Sequence, residues 1–99
     1  MKLQMQSIHF DADQKLLDYI QKKCDKLDQF FDHIQDGSVY LRIEKQGEPS
    51  LKSVEIKVNV PHDVLISKEE AFTFEEATDL ATDNLKRQVI RYKDKLRTH

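Results

Sequence analysis

The chain has 99 residues, 38% hydrophobic and 34% charged, with a formal net charge of −2, which fits one small domain with one core and excludes a disordered chain. No apolar run approaches the ~20 residues that span a bilayer, and the opening MKLQMQSIHF lacks the apolar stretch of a signal peptide, so a cytoplasmic protein with no membrane partner is expected. A single cysteine, Cys24, excludes an internal disulfide and makes a poor nucleus for a metal site.

Lys2 to Ser7 alternates Leu3 and Met5 with Lys2, Gln4 and Gln6, the pattern of a half-buried strand. Asp13 follows as the better helix N-cap, with Asp11 the alternative. The spacing of Leu16, Leu17, Ile20, Cys24, Leu27 and Phe31 predicts a helix over about Gln14 to Asp32 that buries Cys24. On its wheel Lys15, Lys22, Lys23 and Lys26 fall on one flank, and Asp18, Asp25, Asp28 and Asp32 on the other. A face that only had to be soluble would intersperse the signs, so this segregation points to a directional partner.

Asp36-Gly37 ends the helical region. A strand follows over Ser38 to Lys45, then a turn over Gln46 to Ser50, then the clearest strand in the chain, Lys52 to Val60, with Val54, Ile56, Val58 and Val60 facing in. Pro61-His62-Asp63 breaks it, and a fourth strand runs from Val64 to about Glu70, its charged tail marking an edge position. From about Thr73 the spacing turns helical again, with Ala77, Leu80, Ala81, Leu85, Val89, Tyr92 and Leu96 as the buried stripe. The predicted fold class is therefore α+β, in the order β-α-β-β-β-α: a single domain over residues 1–99, with a four-stranded sheet, both helices on one face and the other face open to water.

Charge is distributed unevenly along this chain. Asn84 to His99 holds six basic residues against the single acid Asp94, while the rest is acidic. The macrodipole favours acids at a helix start and bases at its end, by only a few tenths to about 1 kcal/mol each, which explains the order of the signs better than their number. The bases form two rows, Arg87-Arg91-Lys95 and Lys86-Lys93-Arg97, with Ile90 between them in a place that suits a covered surface. Packed side by side, the two helices would merge Lys22, Lys23 and Lys26 with the basic end of the second helix, leaving the acidic flank of the first facing away. Such a surface suits phosphates and the shape of folded RNA, because A-form RNA hides its base edges in a deep, narrow groove.

Catalysis finds no comparable support. There is no glycine-rich phosphate loop, no G-x-S-x-G and no H-E-x-x-H. His9, His33, His62 and His99 share no ligand spacing and read as surface or turn residues, and Cys24 with His33 makes a poor nucleophile and base because the helix buries the thiol. A non-enzymatic protein without cofactor, metal or small-molecule substrate is expected. A protein-interaction module using the open sheet face (Tyr40, Arg42, Lys57) or the acidic helix flank is the alternative.

Two segments, Y-I-Q-K-K-C-D-K-L-D-Q-F-F-D from Tyr19 to Asp32 and L-K-R-Q-V-I-R-Y-K-D-K-L from Leu85 to Leu96, resemble those of the bacterial ribosome hibernation-promoting factors and ribosome-associated inhibitors. The resemblance spans essentially the whole chain. It implies a fold akin to double-stranded RNA-binding domains and a protein that binds the small ribosomal subunit and its rRNA in the mRNA and tRNA channel, silencing translation under stress or in stationary phase. Lys23 and Lys26 match the family's first-helix lysines, and Arg87, Arg91, Lys93 and Lys95 match its second-helix bases; Lys22, Lys86 and Arg97 join them by geometry. Asn84 stands where the family usually has Lys. Ala71 to Asp79 reads A-F-T-F-E-E-A-T-D where the family commonly reads D-M-Y-A-A-I-D, so Glu75 and Glu76 replace small residues. Ending at His99, the chain resembles the short members, and a monomer off the ribosome is expected.

Overall fold

A computed structural model of the chain describes residues 1–45, 47 and 49–97, the side chains of Lys45 and Arg97 excepted. The elements are β1 (Lys2–Ser7), α1 (Gln14–Asp25), β2 (Asp36–Lys45), β3 (Leu51–Val60), β4 (Asp63–Ala71) and α2 (Phe74–Arg97). The strands lie in the order β1-β2-β3-β4. β1 runs parallel to β2, with Met5 opposite Val39, and the other two pairings are antiparallel. A parallel pair needs a crossover, and α1 supplies it.

β3 is paired on both sides and alternates from Val54 onward, so its inward residues Val54, Ile56, Val58 and Val60 are all buried. With Val39 and Leu41 of β2 they form the floor on which both helices rest, each such side chain contributing roughly 1.5–3 kcal/mol when fully removed from water. The β3–β4 turn is as tight as the sequence implies. Val60 pairs with Asp63 across Pro61 and His62, and His62 takes φ 68; proline before a residue of positive φ is the pattern of a type II turn. The expected turn at Gln46 to Ser50 lies partly outside the described residues.

Asp13 caps α1, its Oδ1 accepting from the Leu16 amide at 2.8 Å. The helix is shorter than the spacing predicts. It ends at Asp25 and tightens into a 3₁₀ turn over Lys26–Gln29, which still buries Leu27 and leaves Phe31 in the core. One turn of three residues per repeat keeps the apolar spacing of an α-helix, so periodicity alone could not separate them.

Thr73 caps α2 by accepting from the Glu76 amide at 3.0 Å. Ala77, Thr78 and Ala81 are fully buried beneath it, as are Leu85 and Val89. Leu80 and Leu96, expected in this stripe, are instead 50% and 51% exposed. Leu80 is exposed because it stands roughly 130° around the helix from the centre of the buried stripe of Ala77, Thr78, Ala81, Leu85 and Val89 and lines the groove beside α1 instead. Leu96 lies near the far end of a 24-residue helix, about 36 Å long, which outruns the strands beneath it. Ile90 is 40% exposed on the outward face.

On the open sheet face the polar residues pair with one another. Lys57 Nζ lies 5.5 Å from the Tyr40 ring centre, Arg42 approaches Glu55 at 4.0 Å and Lys68 approaches Glu44 at 3.5 Å. The Ser53 hydroxyl donates to Glu44 at 2.8 Å and, ahead of the Lys68 charge, holds that carboxyl below its ordinary range.

Candidate nucleic-acid interface

Aromatic and polar contacts set α1 and α2 side by side. Phe10, in the approach to α1, stacks on Phe74 at the start of α2, with ring centres 5.1 Å apart and planes 11° from parallel. One turn further, the Tyr19 hydroxyl donates to Asp79 Oδ1 at 2.5 Å, and this hydrogen bond is the main cause of a phenol pKa pushed up to about 12. Beyond that point the helices part and leave an open groove of about 520 Å³. Lys23 and Lys26 line one wall and Lys86 the other, with Phe30 between them. Lys86 Nζ sits 4.9 Å from the Phe30 ring centre, a cation–π contact that holds the ammonium over the groove.

The structure therefore gathers three of the nine basic residues singled out in the sequence. Lys93, two helical turns after Lys86, continues on the same side of α2 and is half-buried. Arg91 and Lys95 lie on the opposite side of α2, around a small depression of about 120 Å³ shared with Asp63 and Gln88. Arg87 pairs with Asp83 at 3.1 Å. Lys22 borders a separate hollow of about 410 Å³ near the helix starts, with Lys15, Asp18, Tyr19 and Glu75. Arg97 closes α2, and its side chain falls outside the described residues. The basic surface is thus two faces of α2 and not one continuous sheet of charge.

Two acids enter where only bases were expected. Asp79 and Asp83 line the same groove as the lysines, and Lys23 Nζ lies 3.3 Å from Asp79 Oδ1. The sequence carries a signal for them: Asp79 is seven residues before Lys86, so the two share one side of the helix. Asp25 at the end of α1 and Asp28 in the 3₁₀ turn after it are drawn the other way, holding the Met1 ammonium at 2.9 and 2.6 Å. Asp18, by contrast, sits with Lys15 and Lys22, so the flanks of α1 are less cleanly divided than its wheel implies.

The family model described as Sigma 54 modulation protein / S30EA ribosomal protein matches residues 3–97. The chain belongs to this family. Among relatives, the ribosome hibernation promoting factor of Escherichia coli K12 is 28% identical over 99 residues, covering 100% of both chains. That of Azotobacter vinelandii is 27% identical over 95 residues, covering 96% of this chain and 85% of the relative. The ribosome hibernation promotion factor of Deinococcus radiodurans is 26% identical over 91 residues, and the match covers 48% of it, so the chain spans about half that protein's length. The crystal structure of the Thermus thermophilus Protein Y N-terminal domain superposes with a TM-score of 0.81 at 26% identity, covering 93% of this chain and 99% of the other. The β-α-β-β-β-α fold expected from the sequence is thus the fold of the family.

Proposed function

We propose that this member of the family binds the small ribosomal subunit through rRNA phosphates, along the groove between α1 and α2 and the basic half of α2, and inhibits translation by occupying the mRNA and tRNA channel. The observation that carries this reading is the convergence of Lys23 of α1, Lys26 of the 3₁₀ turn after it and Lys86 of α2 on one groove from segments far apart in sequence. Relatives named ribosome hibernation promoting factor that align over nearly the whole chain support it. Phosphates need local cations and not a positive protein, so a net charge of −2 is no obstacle where cations cluster locally, as Lys23, Lys26 and Lys86 do. The proposed contact set is Lys22, Lys23, Lys26, Lys86, Arg87, Arg91, Lys93, Lys95 and Arg97, acting by occupancy in the cytoplasm without a chemical step.

The open sheet face is the alternative surface for a partner; its cations Arg42 and Lys57 lie beside Glu55 and Tyr40. Sedimentation of purified small subunits with the chain through a sucrose gradient tests the proposal. Co-migration that survives nuclease trimming of mRNA is expected; recovery only at the top of the gradient would reject it.

A further inference from the structure

Asp79 and Asp83 stand out because the helix macrodipole does not account for them. The macrodipole stabilises acids within the first turn, where Glu75 and Glu76 already sit. Asp79 and Asp83 lie one and two turns further on, inside the groove that the lysines line. Asp83 has an i,i+4 partner in Arg87, whereas Asp79 reaches across to α1, where Lys23 and the Tyr19 hydroxyl share its Oδ1. The Tyr19 hydrogen bond fixes that carboxylate in place, so it cannot swing out of the path of an incoming phosphate.

Each of these carboxylates has two effects on a polyanion. It occupies a cation, Lys23 or Arg87, that a phosphate would otherwise take, and it repels any phosphate placed beside it. A plain duplex, which samples many registers on the groove, cannot avoid the repulsion in most of them. A rigid RNA surface whose phosphates sit at Lys26 and Lys86 and away from Asp79 can.

Building on the proposed rRNA contact, we infer that Asp79 and Asp83 are selectivity residues of the groove: they penalise generic RNA more than the fixed phosphate arrangement of the ribosomal site. Lys26 and Lys86 then carry more of the binding than Lys23 and Arg87.

The test compares the intact chain with the double variant Asp79→Asn/Asp83→Asn, measuring affinity for plain double-stranded RNA and for purified small subunits across a salt series. Asparagine keeps an oxygen to accept from Tyr19, so helix pairing is retained. The expected result is duplex RNA binding about fivefold tighter, with a salt slope steeper by roughly 0.7–0.9 for each cation released to a phosphate. Subunit affinity rises less, so the preference for subunits over duplex falls. Tyr19→Phe, which frees the Asp79 carboxylate but keeps both negative charges, brings a smaller gain than the double variant. Unchanged or weaker duplex binding by the double variant would overturn the inference, as would an equal gain in Tyr19→Phe. Failure of the unaltered chain to bind subunits would reject the proposed function instead, while the duplex comparison still decides the role of the two carboxylates.

Discussion

The Tyr92 hydroxyl donates to the carbonyl oxygen of Pro61, joining the basic half of α2 to the turn between β3 and β4. The same ring meets Phe31 edge-on, with centres 5.5 Å apart. Tyr92 therefore anchors the second half of α2 both to the sheet end and to the segment that follows α1. Tyr92→Phe keeps the aromatic contact and removes the hydrogen bond. It is expected to lower stability by about 1 kcal/mol, read as a shift in the urea midpoint, and to speed amide exchange beyond Val89 more than in α1.

Gly37 is held to glycine by packing. It pairs with Leu3 on one side and Val58 on the other, and a Cβ there would meet Leu3 Cδ2 at 2.8 Å and the Lys57 carbonyl oxygen at 2.9 Å. The leucine methyl can yield, but the carbonyl belongs to the central strand. Gly37→Ala should cost about 1–3 kcal/mol by thermal melting, and adding Leu3→Ala should fail to restore the loss.

Thr78 offers a stabilising change. Its side chain is fully buried under α2 and its hydroxyl has no hydrogen-bond partner, so the fold carries a desolvated polar group without compensation. Thr78→Val preserves the branched shape and removes the hydroxyl, with an expected gain of about 1 kcal/mol. Thr82, whose hydroxyl donates to the Thr78 carbonyl at 2.9 Å, should show a smaller gain or a loss on the same substitution. Urea denaturation of the two variants side by side decides between them.

Much of this structure is legible in the sequence because strands announce themselves by alternation and helices by caps. Val54 to Val60 and Asp13 are examples, and both act as their pattern implies. What stays hidden depends on how elements pack. Leu80 lies one turn from Ala77, as a core residue can, yet the stripe that packs on the sheet centres on Thr78, Ala81, Leu85 and Val89 and leaves Leu80 at the groove. The groove is legible only in part for the same reason. Lys23, Lys26 and Lys86 can be grouped from helix wheels, but which side of α2 faces α1 is settled by packing, and it is the side that carries Asp79.

Cys24 gives a pH signature. Burial pushes its thiol from the ordinary 9.0 up to about 12, so the unfolded chain loses this proton first. The stabilisation is fully present below about pH 9 and is lost as pH rises toward about 12, at no more than about 1.4 kcal/mol per pH unit. Tyr19 is raised in the same direction from 10.0, so the comparison belongs in a Tyr19→Phe background. There, stability should fall less steeply with alkaline pH in Cys24→Ala than with the cysteine present. Thiol alkylation at neutral pH should proceed only as fast as the chain unfolds.

The central claim, that the groove between the helices holds rRNA phosphates, is tested most directly by the salt dependence of binding to purified small subunits. The unaltered chain is compared with Lys23→Gln/Lys26→Gln/Lys86→Gln and with a control on the open sheet face, Arg42→Gln/Lys57→Gln. Each lost phosphate contact lowers the log–log slope by roughly 0.7–0.9, so the groove variant should bind more weakly with a slope reduced by about 2, and the control should match the unaltered chain. An unchanged slope in the groove variant, or an equal loss in the control, would contradict the account.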